Sequence, residues 1–359
     1  FESAEFRKFL DLCVNCKACS VECPAGVDIS KLMTAARTEY VRRRGLRRAE
    51  FALSHNWYLS MLGSIFSPIS NFVIRLPIFK WFLERVSGLD RRRSMPSFGG
   101  GSFLRAGRKY LRACAPVEKP VDKVAYFVDT YANYNDHELG FAVLEVLRHN
   151  NIEVILPKQR PVPLPAIMYG NVKRARKDLA YSVKYLAEAV RDGYKIVCSE
   201  PSAALCLKQE SKHFVAGQDA QLVSENTYEL MSYLLDLFKR NKLKPVENSI
   251  SRSFVYHLPC HLYAIDGGRA AVELLRKLCS ANITELDAGC CGLAGTFGFN
   301  RKNYELSSQI AARLKDVLEK SPDKEVLTEC AACKMQIEHI SRATVEHPIK
   351  MLAEAYRIE

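Results

Sequence analysis

The chain of 359 residues is long enough for two or three domains, and with 48% apolar and 26% charged residues it has ordinary globular composition, which sets aside extended disorder. Thirteen cysteines would mean a disulfide framework in a small secreted protein; here nine of them fall into two tight constellations with ligand spacing in a large chain, which points to a reducing cytoplasm and to metal. The net charge of +12 comes largely from arginine clusters in the first third, VRRRGLRR (41–48), DRRRS (90–94) and FLRAGRKYLR (103–112). No nucleic-acid recognition module accompanies them, so a solvated face, an acidic membrane surface or an acidic partner are the readings left.

In chain order, the first motif is CVNCKACSVECP (13–24), which sets Cys13, Cys16, Cys19 and Cys23 at C-x2-C-x2-C-x3-C followed by Pro24. This is an iron–sulfur spacing. In two-cluster ferredoxins the first three thiolates of such a run hold one cluster and the fourth serves a second one. Asp28 is placed to cap a helix over ISKLMTAARTEYVRR, with Gly45 as its stop, and helices broken by Pro and Gly are predicted to about residue 90. Within them NWYLSMLGSIFSPISNFVIRLPIFKWFL (56–83) is the most apolar stretch. Pro68, Arg75, Pro77 and Lys80 interrupt it before about 20 apolar residues accumulate, so it is not expected to span a bilayer. Two fates remain for it: burial against the first domain, or docking on a membrane with Arg91, Arg92 and Arg93 beside it. SMPSFGGGS (94–102) reads as linker.

Beyond residue 120 the rhythm becomes strand–helix: KVAYFVD, ELGFAVLEVLRHN, IEVILP, KRARKDLAYSVKYLAEAVRDG, YKIVCS and a short helix at AALCLKQE. SENTYELMSYLLDLFKRNK reads as a connecting helix. The series then repeats as SFVYHLP, GRAAVELLRKLCS, NITELD, KNYELSSQIAARLKDVLEK, KEVLTE and AACKMQIEHI. A period of about 130 residues marks a duplicated α/β domain with parallel sheets.

Superposing the copies sets Thr130 opposite Cys260, and Pro161, Val162 and Pro163 opposite Cys290, Cys291 and Gly292. It sets Ala203 and Cys206 opposite Cys330 and Cys333. Each position follows a predicted strand end, where open α/β sheets bind their ligands. Cys260, Cys290, Cys291, Cys330 and Cys333 therefore form a five-thiolate site in the second copy, of which the first copy keeps one cysteine. Five thiolates exceed one tetrahedral zinc and suit an iron–sulfur cluster; zinc or free buried cysteines are the alternative. Cys114, Cys198, Cys206 and Cys279 read as isolated structural residues. His257 and His261, flanking Cys260, read first as structural and second as groups that tune a cluster or relay a proton. No dinucleotide fingerprint and no catalytic triad is present, so no catalytic residue is assigned in this chain.

At HLPCHLY, AGCCGLAGTFGFNRKNYELS, LTECAACKMQIEH and HPIKMLAEAY the sequence resembles the Cys-Cys-Gly domain family typified by the B subunit of heterodisulfide reductase. It is especially similar to the iron–sulfur subunits of anaerobic glycerol-3-phosphate dehydrogenase, glycolate oxidase and lactate-oxidising enzymes. The resemblance implies a helical ferredoxin-like domain (1–93), a linker (94–120), a degenerate Cys-Cys-Gly domain (121–245) and an intact one (246–359). It also implies 4Fe-4S clusters at the nine cysteines, cubane or non-cubane at the second site. Function is then expected to be electron transfer from a flavin dehydrogenase, acting on a 2-hydroxy acid or glycerol 3-phosphate, toward quinone. FAD would sit in a partner or an upstream domain. A disulfide or thiol reductase with a catalytic cluster, and a non-enzymatic membrane-docking protein, are the rival readings. The location would be cytoplasmic, with a peripheral place on the inner face of the membrane as an option. Similar modules occur fused behind FAD-linked oxidase domains. A chain that starts with Phe1 and not Met is expected to be the later part of such a fusion, with the partner ferredoxin motif upstream; otherwise a single cluster takes all four local cysteines.

Overall fold

The computed structural model describes residues 3–266 and 268–357; Phe1, on which the expectation of an upstream fusion rests, lies outside the described residues. The chain is mostly helical, with two four-stranded parallel sheets. Strands β1 (Asp122–Phe127), β2 (Ile152–Ile155), β3 (Lys195–Cys198) and β4 (Thr227–Glu229) form the first sheet in the order β2-β1-β3-β4. Strands β5 (Ser253–Tyr256), β6 (Asn282–Glu285), β7 (Glu325–Leu327) and β8 (Thr344–Glu346) form the second in the order β6-β5-β7-β8. The two orders are the same topology, as a duplication requires.

The fourth strand of each sheet is the main departure from the sequence reading. The sequence predicts helix at Thr227–Glu229, but Thr227 and Tyr228 suit a pleated surface and pair in parallel with Ile196 and Val197, and Glu229 then caps the helix Leu230–Lys239 through Ser232 N–H. Three residues of strand carry too little periodicity to be seen in a helical window.

The copies are welded through their helical layers. Helix Pro348–Ala355 of the second packs on His137–His149 of the first, and Leu230–Lys239 packs on Ala270–Cys279. One apolar core runs through both, from Phe103 and Val143 to Leu274 and Leu352. The carboxyl edges of the sheets also meet: the ring Nε2 of His347 donates to Ser199 O at 3.0 Å, and its Nδ1 accepts from Ile349 N–H at 3.0 Å. That pairing requires the neutral ring, and burial pushes its pKa from 6.5 down to about 4. The unfolded chain therefore binds a proton that the folded one refuses. Stability from this group is fully present above pH 6.5 and lost as pH falls toward 4, by at most about 3 kcal/mol. Urea titrations over that window should show the loss, and His347→Gln should flatten it; an unchanged slope in the variant would assign the loss to other groups.

Before the sheets the described residues between Ala4 and Ser87 form seven helices joined by short irregular segments. Helix Ile29–Arg44 starts at Asp28, whose carboxylate accepts from Lys31 N–H at 2.9 Å, and stops at Gly45 with φ 75°, as its sequence predicts. The apolar stretch folds as three short helices, Asn56–Ile65, Ser67–Val73 and Pro77–Ser87, with Pro68 and Pro77 in first turns, where proline fits. No helix among the described residues is long and apolar enough to cross a membrane. Residues 94–102 are irregular but tied down: Ser64 Oγ donates to Gly99 O at 2.6 Å, Asn71 Nδ2 to Phe98 O at 2.9 Å, and Gly99 N–H to Tyr134 O at 2.7 Å. Helix Phe103–Ala113 follows, with Phe103 fully buried against Tyr126 and Phe141.

Arg93 corrects the reading of DRRRS as one charged face. It is buried, and its guanidinium donates to Gly298 O, to Gln336 Oε1 and to Ser307 Oγ under the ring of Tyr304. It holds the second copy to the first segment. Arg92 pairs with Asp90 and Glu305, and only Arg91 and Arg92 of the three reach the surface.

Candidate metal centre

Parallel strands deliver their carboxyl ends to one edge, and the second sheet sends five cysteines there. Cys260 opens the helix after β5, Cys290 and Cys291 lie in the loop after β6, and Cys330 caps the helix Ala331–Ile340 after β7 with Cys333 one turn in. The thiols lie side by side in an unbroken series, Cys260, Cys290, Cys291, Cys333 and Cys330. The neighbouring Cys260 and Cys291 thiols, with Gly292 N–H at 3.4 Å, hold the Cys290 thiol far below its usual range, and the neighbouring Cys333 brings Cys330 to about 7. Cys260, Cys291 and Cys333 are pushed up in turn by their thiol neighbours and by burial. Five packed thiols cannot all ionise against one another without a polycation among them. This donor set fits an iron–sulfur cluster and exceeds what one zinc takes.

The loop is shaped for it. Gly292 sits at φ 82°, and a Cβ there would lie 2.3 Å from Ser307 O on the helix Tyr304–Lys320. His257, Cys291 and Cys333 place their ligand atoms within 4.8 Å of one another. Burial drives the His257 pKa to about 4, so the ring faces the thiols uncharged.

The amino-terminal motif lies against this edge. Its cysteines are half-buried, and helix Ala18–Glu22 packs on the helix that Cys260 opens. Burial, then the neighbouring thiols of Cys290, Cys13 and Cys19, push the Cys16 thiol up. Cys23 lies at the C-cap of Ala18–Glu22. Within the loop Asn15 (φ 56°) and Lys17 (φ 65°) adopt the left-handed region without being glycine, which asparagine tolerates and which costs a lysine about 1–2 kcal/mol. Two contacts hold them there: Asn15 O accepts from His261 Nε2 at 2.9 Å, and Lys17 forms a buried ion pair with Glu210. Because a carbonyl can only accept, His261 carries its proton on Nε2, and Nδ1 accepts from Ser202 Oγ at 2.9 Å. His261 is thus a strut joining the cysteine loop to both copies. Arg37, which belongs to no motif and looks in sequence like one more helix-surface cation, spans the same joint: its buried guanidinium donates to Cys13 O at 2.7 Å and Met168 O at 2.8 Å.

The first copy places no cysteine at the positions matching Cys260, Cys290, Cys291, Cys330 and Cys333. Helix caps correct the alignment: Glu200 is the N-cap of Pro201–Leu205 as Cys330 is of Ala331–Ile340, so Glu200 stands opposite Cys330 and Ala203 opposite Cys333. Cys206 lies one turn further on, buried in the first copy's core, and is not a remnant ligand. The Glu200 carboxyl reaches across to accept from Ala331 N–H at 2.8 Å, and burial pushes its pKa well up. Only its capping position could have marked this residue in the sequence.

This edge and its cysteines define an oxidoreductase component of the iron–sulfur, electron-transferring class. Residues 254–338 match the cysteine-rich CCG domain family. The chain belongs to the family of the C subunit of anaerobic glycerol-3-phosphate dehydrogenase: it is 32% identical to that protein of Escherichia coli over 337 residues, 92% of this chain and 83% of the relative. It is also 20% identical to D-2-hydroxyglutarate dehydrogenase of Pantoea ananatis over 98% of this chain and 34% of that protein. With the D subunit of the dihydromethanophenazine:CoB–CoM heterodisulfide reductase of Methanosarcina mazei it shares 23% identity over 100% of this chain and 80% of the relative.

Proposed function

We propose that the chain accepts electrons from a flavin dehydrogenase that oxidises glycerol 3-phosphate or a 2-hydroxy acid and passes them toward quinone at a membrane surface. In this reading residues 1–93 are a ferredoxin-like unit, 94–120 the connection, 121–245 a Cys-Cys-Gly domain turned scaffold, and 246–359 the intact one. Cys13, Cys16 and Cys19, with Cys23 serving the same or a paired cluster, and Cys260, Cys290, Cys291, Cys330 and Cys333 hold 4Fe-4S groups, and FAD belongs to the partner. Such groups supply one-electron transfer; the protein supplies ligation, burial and hydrogen bonds to sulfur. The observation that carries the proposal is the packing of the two ligand-bearing segments, helix Ala18–Glu22 on the helix that Cys260 opens, which brings Cys16 within electrostatic reach of Cys290.

The membrane side rests on the three short helices. Leu62, Ile65, Phe66, Ile69, Phe72, Ile78, Trp81 and Phe82 are each half or more exposed, and the rest of the described chain does not cover them. Arg75, Lys80 and Arg85 lie among them, a combination suited to an anionic interface.

One experiment tests both parts. The iron-loaded protein, mixed with the flavin dehydrogenase, glycerol 3-phosphate and vesicles containing menaquinone, should float with vesicles that include anionic lipid. Its reduced paramagnetic-resonance signals should appear on substrate addition and fade as quinone is consumed. Signals that substrate never reduces would overturn the electron-transfer reading; protein that stays at the bottom of the gradient would overturn the docking.

A further inference from the structure

A cavity of about 270 Å³ lies between the two facing sheet edges and the first segment. At its inner end it is bounded by the residues beside every ligand set: Asn15 between Cys13 and Cys16, His261 after Cys260, Ala294 after Cys291, and Ala331 and Ala332 between Cys330 and Cys333. One wall is the place the first copy's cluster would have taken, now Thr130, Val162 and Glu200. Its outer end reaches Leu59, half exposed on the first of the three apolar helices, and Phe98 of the tied strap.

The chemistry of the lining selects an occupant. Most of it is aliphatic or aromatic, and among the described residues lining it there is no lysine or arginine. A phosphate, a hydroxy acid or an anionic disulfide would enter without a counter-ion, past Asp129 and Glu200. The uncommitted polar atoms are few. Asn15 and Asp129 are each 5% exposed, and Asn15 Oδ1 and Asp129 Oδ2 have no hydrogen-bond partner. Asp129 Oδ1 is already used, accepting from Tyr131 N–H at 2.6 Å. An apolar slot that reaches an apolar surface, with the side chains of Asn15, Asp129, Thr130 and Ser202 on its lining, suits a lipophilic ring bearing carbonyl oxygens.

We infer that this cavity is the quinone site: the ring lies against the ligand loops within reach of the side chains of Asn15 and Asp129, and the isoprenoid tail leaves past Leu59 and Phe98. The inference rests on the quinone-directed function proposed above and adds its location. Burial raises the Asp129 pKa, the direction in which its uncommitted Oδ2 takes up a proton that a carbonyl oxygen can accept. Reduction of one quinone to hydroquinone takes two electrons, drawn from the reduced flavin of the dehydrogenase partner, and two protons, drawn from water.

The test is photolabelling of the iron-loaded protein with an azido-ubiquinone in detergent, followed by peptide mapping. Label should fall in segments 129–131 and 162–168, excess decylubiquinone should protect, and glutathione disulfide should not. Val162→Trp, which fills the vacated wall, should lower labelling at least tenfold with iron content and resonance spectrum unchanged. Thr130→Trp, at a half-buried position, is the second blocking variant should the first fail to fold. Label elsewhere, labelling indifferent to both variants, or protection by the disulfide would overturn the site. Quinone reduction that persists with label elsewhere removes the site and leaves the proposed function standing. Label at the site in a protein that never reduces quinone removes the function and leaves the site.

Discussion

The double variant Cys290→Ser/Cys291→Ser should lose the carboxyl-terminal cluster's paramagnetic-resonance signal, while Cys206→Ser keeps it. Cys290 lies between Cys260 and Cys291 in the thiol series, and Cys291, at its middle, links it to Cys333. Removing both cuts the series in two and leaves Cys260 apart from the Cys330–Cys333 pair. Serine is isosteric enough to keep the loop folded but is a poor ligand for iron, so the loss should be close to complete and iron content should fall with it. Cys206 is buried in the first copy's core near Glu210 and Lys17, a turn past the position matching Cys333. Its replacement buries a hydroxyl, at a cost of about 1–3 kcal/mol, and should lower stability without touching the signal. A cluster lost in folded Cys206→Ser protein would mean that the two copies share one site.

The contrast between these cysteines shows what could be read from the chain alone. Ligand residues repeat at strand ends, and strands of four to six residues with apolar alternation are visible, so the duplication, the sheet edges and the thiolate set were all legible. The fourth strands, Thr227–Glu229 and Thr344–Glu346, were not, because pairing with β3 and β7 and not local pattern makes them strand. The alignment of Cys206 with Cys333 failed because it matched cysteine to cysteine and so slipped by three residues; counting from Thr130 and Cys260, 70 residues in each copy, lands on Glu200 and Cys330. Charge misled at Arg93, whose neighbours Arg91 and Arg92 are indeed outside; what buries it is a set of acceptors, Gly298 O, Gln336 and Ser307, from more than 200 residues away. The cavity was invisible for the same reason: its walls come from three separate parts of the chain, and its signature, apolar lining without a cation, exists only once they meet.

Gly292 offers a sharper probe of the cluster loop than any ligand, since its replacement changes no donor atom. Alanine there meets two penalties. At φ 82° an L-residue costs about 1–2 kcal/mol, and the added Cβ, 2.3 Å from Ser307 O, must displace the helix Tyr304–Lys320. That helix cannot easily yield: Ser307 is fully buried, donates to Gly292 O at 2.7 Å and accepts from Arg93 at 2.7 Å. Overpacking of this kind costs about 1–3 kcal/mol, so Gly292→Ala should lose about 2–5 kcal/mol of stability in denaturant titrations. Either the loop or the helix then moves, and Cys290 and Cys291 move with it, so the cluster signal should fall sharply although all five thiols remain. Gly289 is the matched control, with φ 68° on the other side of the cysteine pair and no atom within 4 Å of the place an added Cβ would take. Gly289→Ala carries the conformational penalty alone, about 1–2 kcal/mol, and should keep its cluster. Equal losses in the two variants would show that backbone conformation, and not the close approach to Ser307, is what the loop requires.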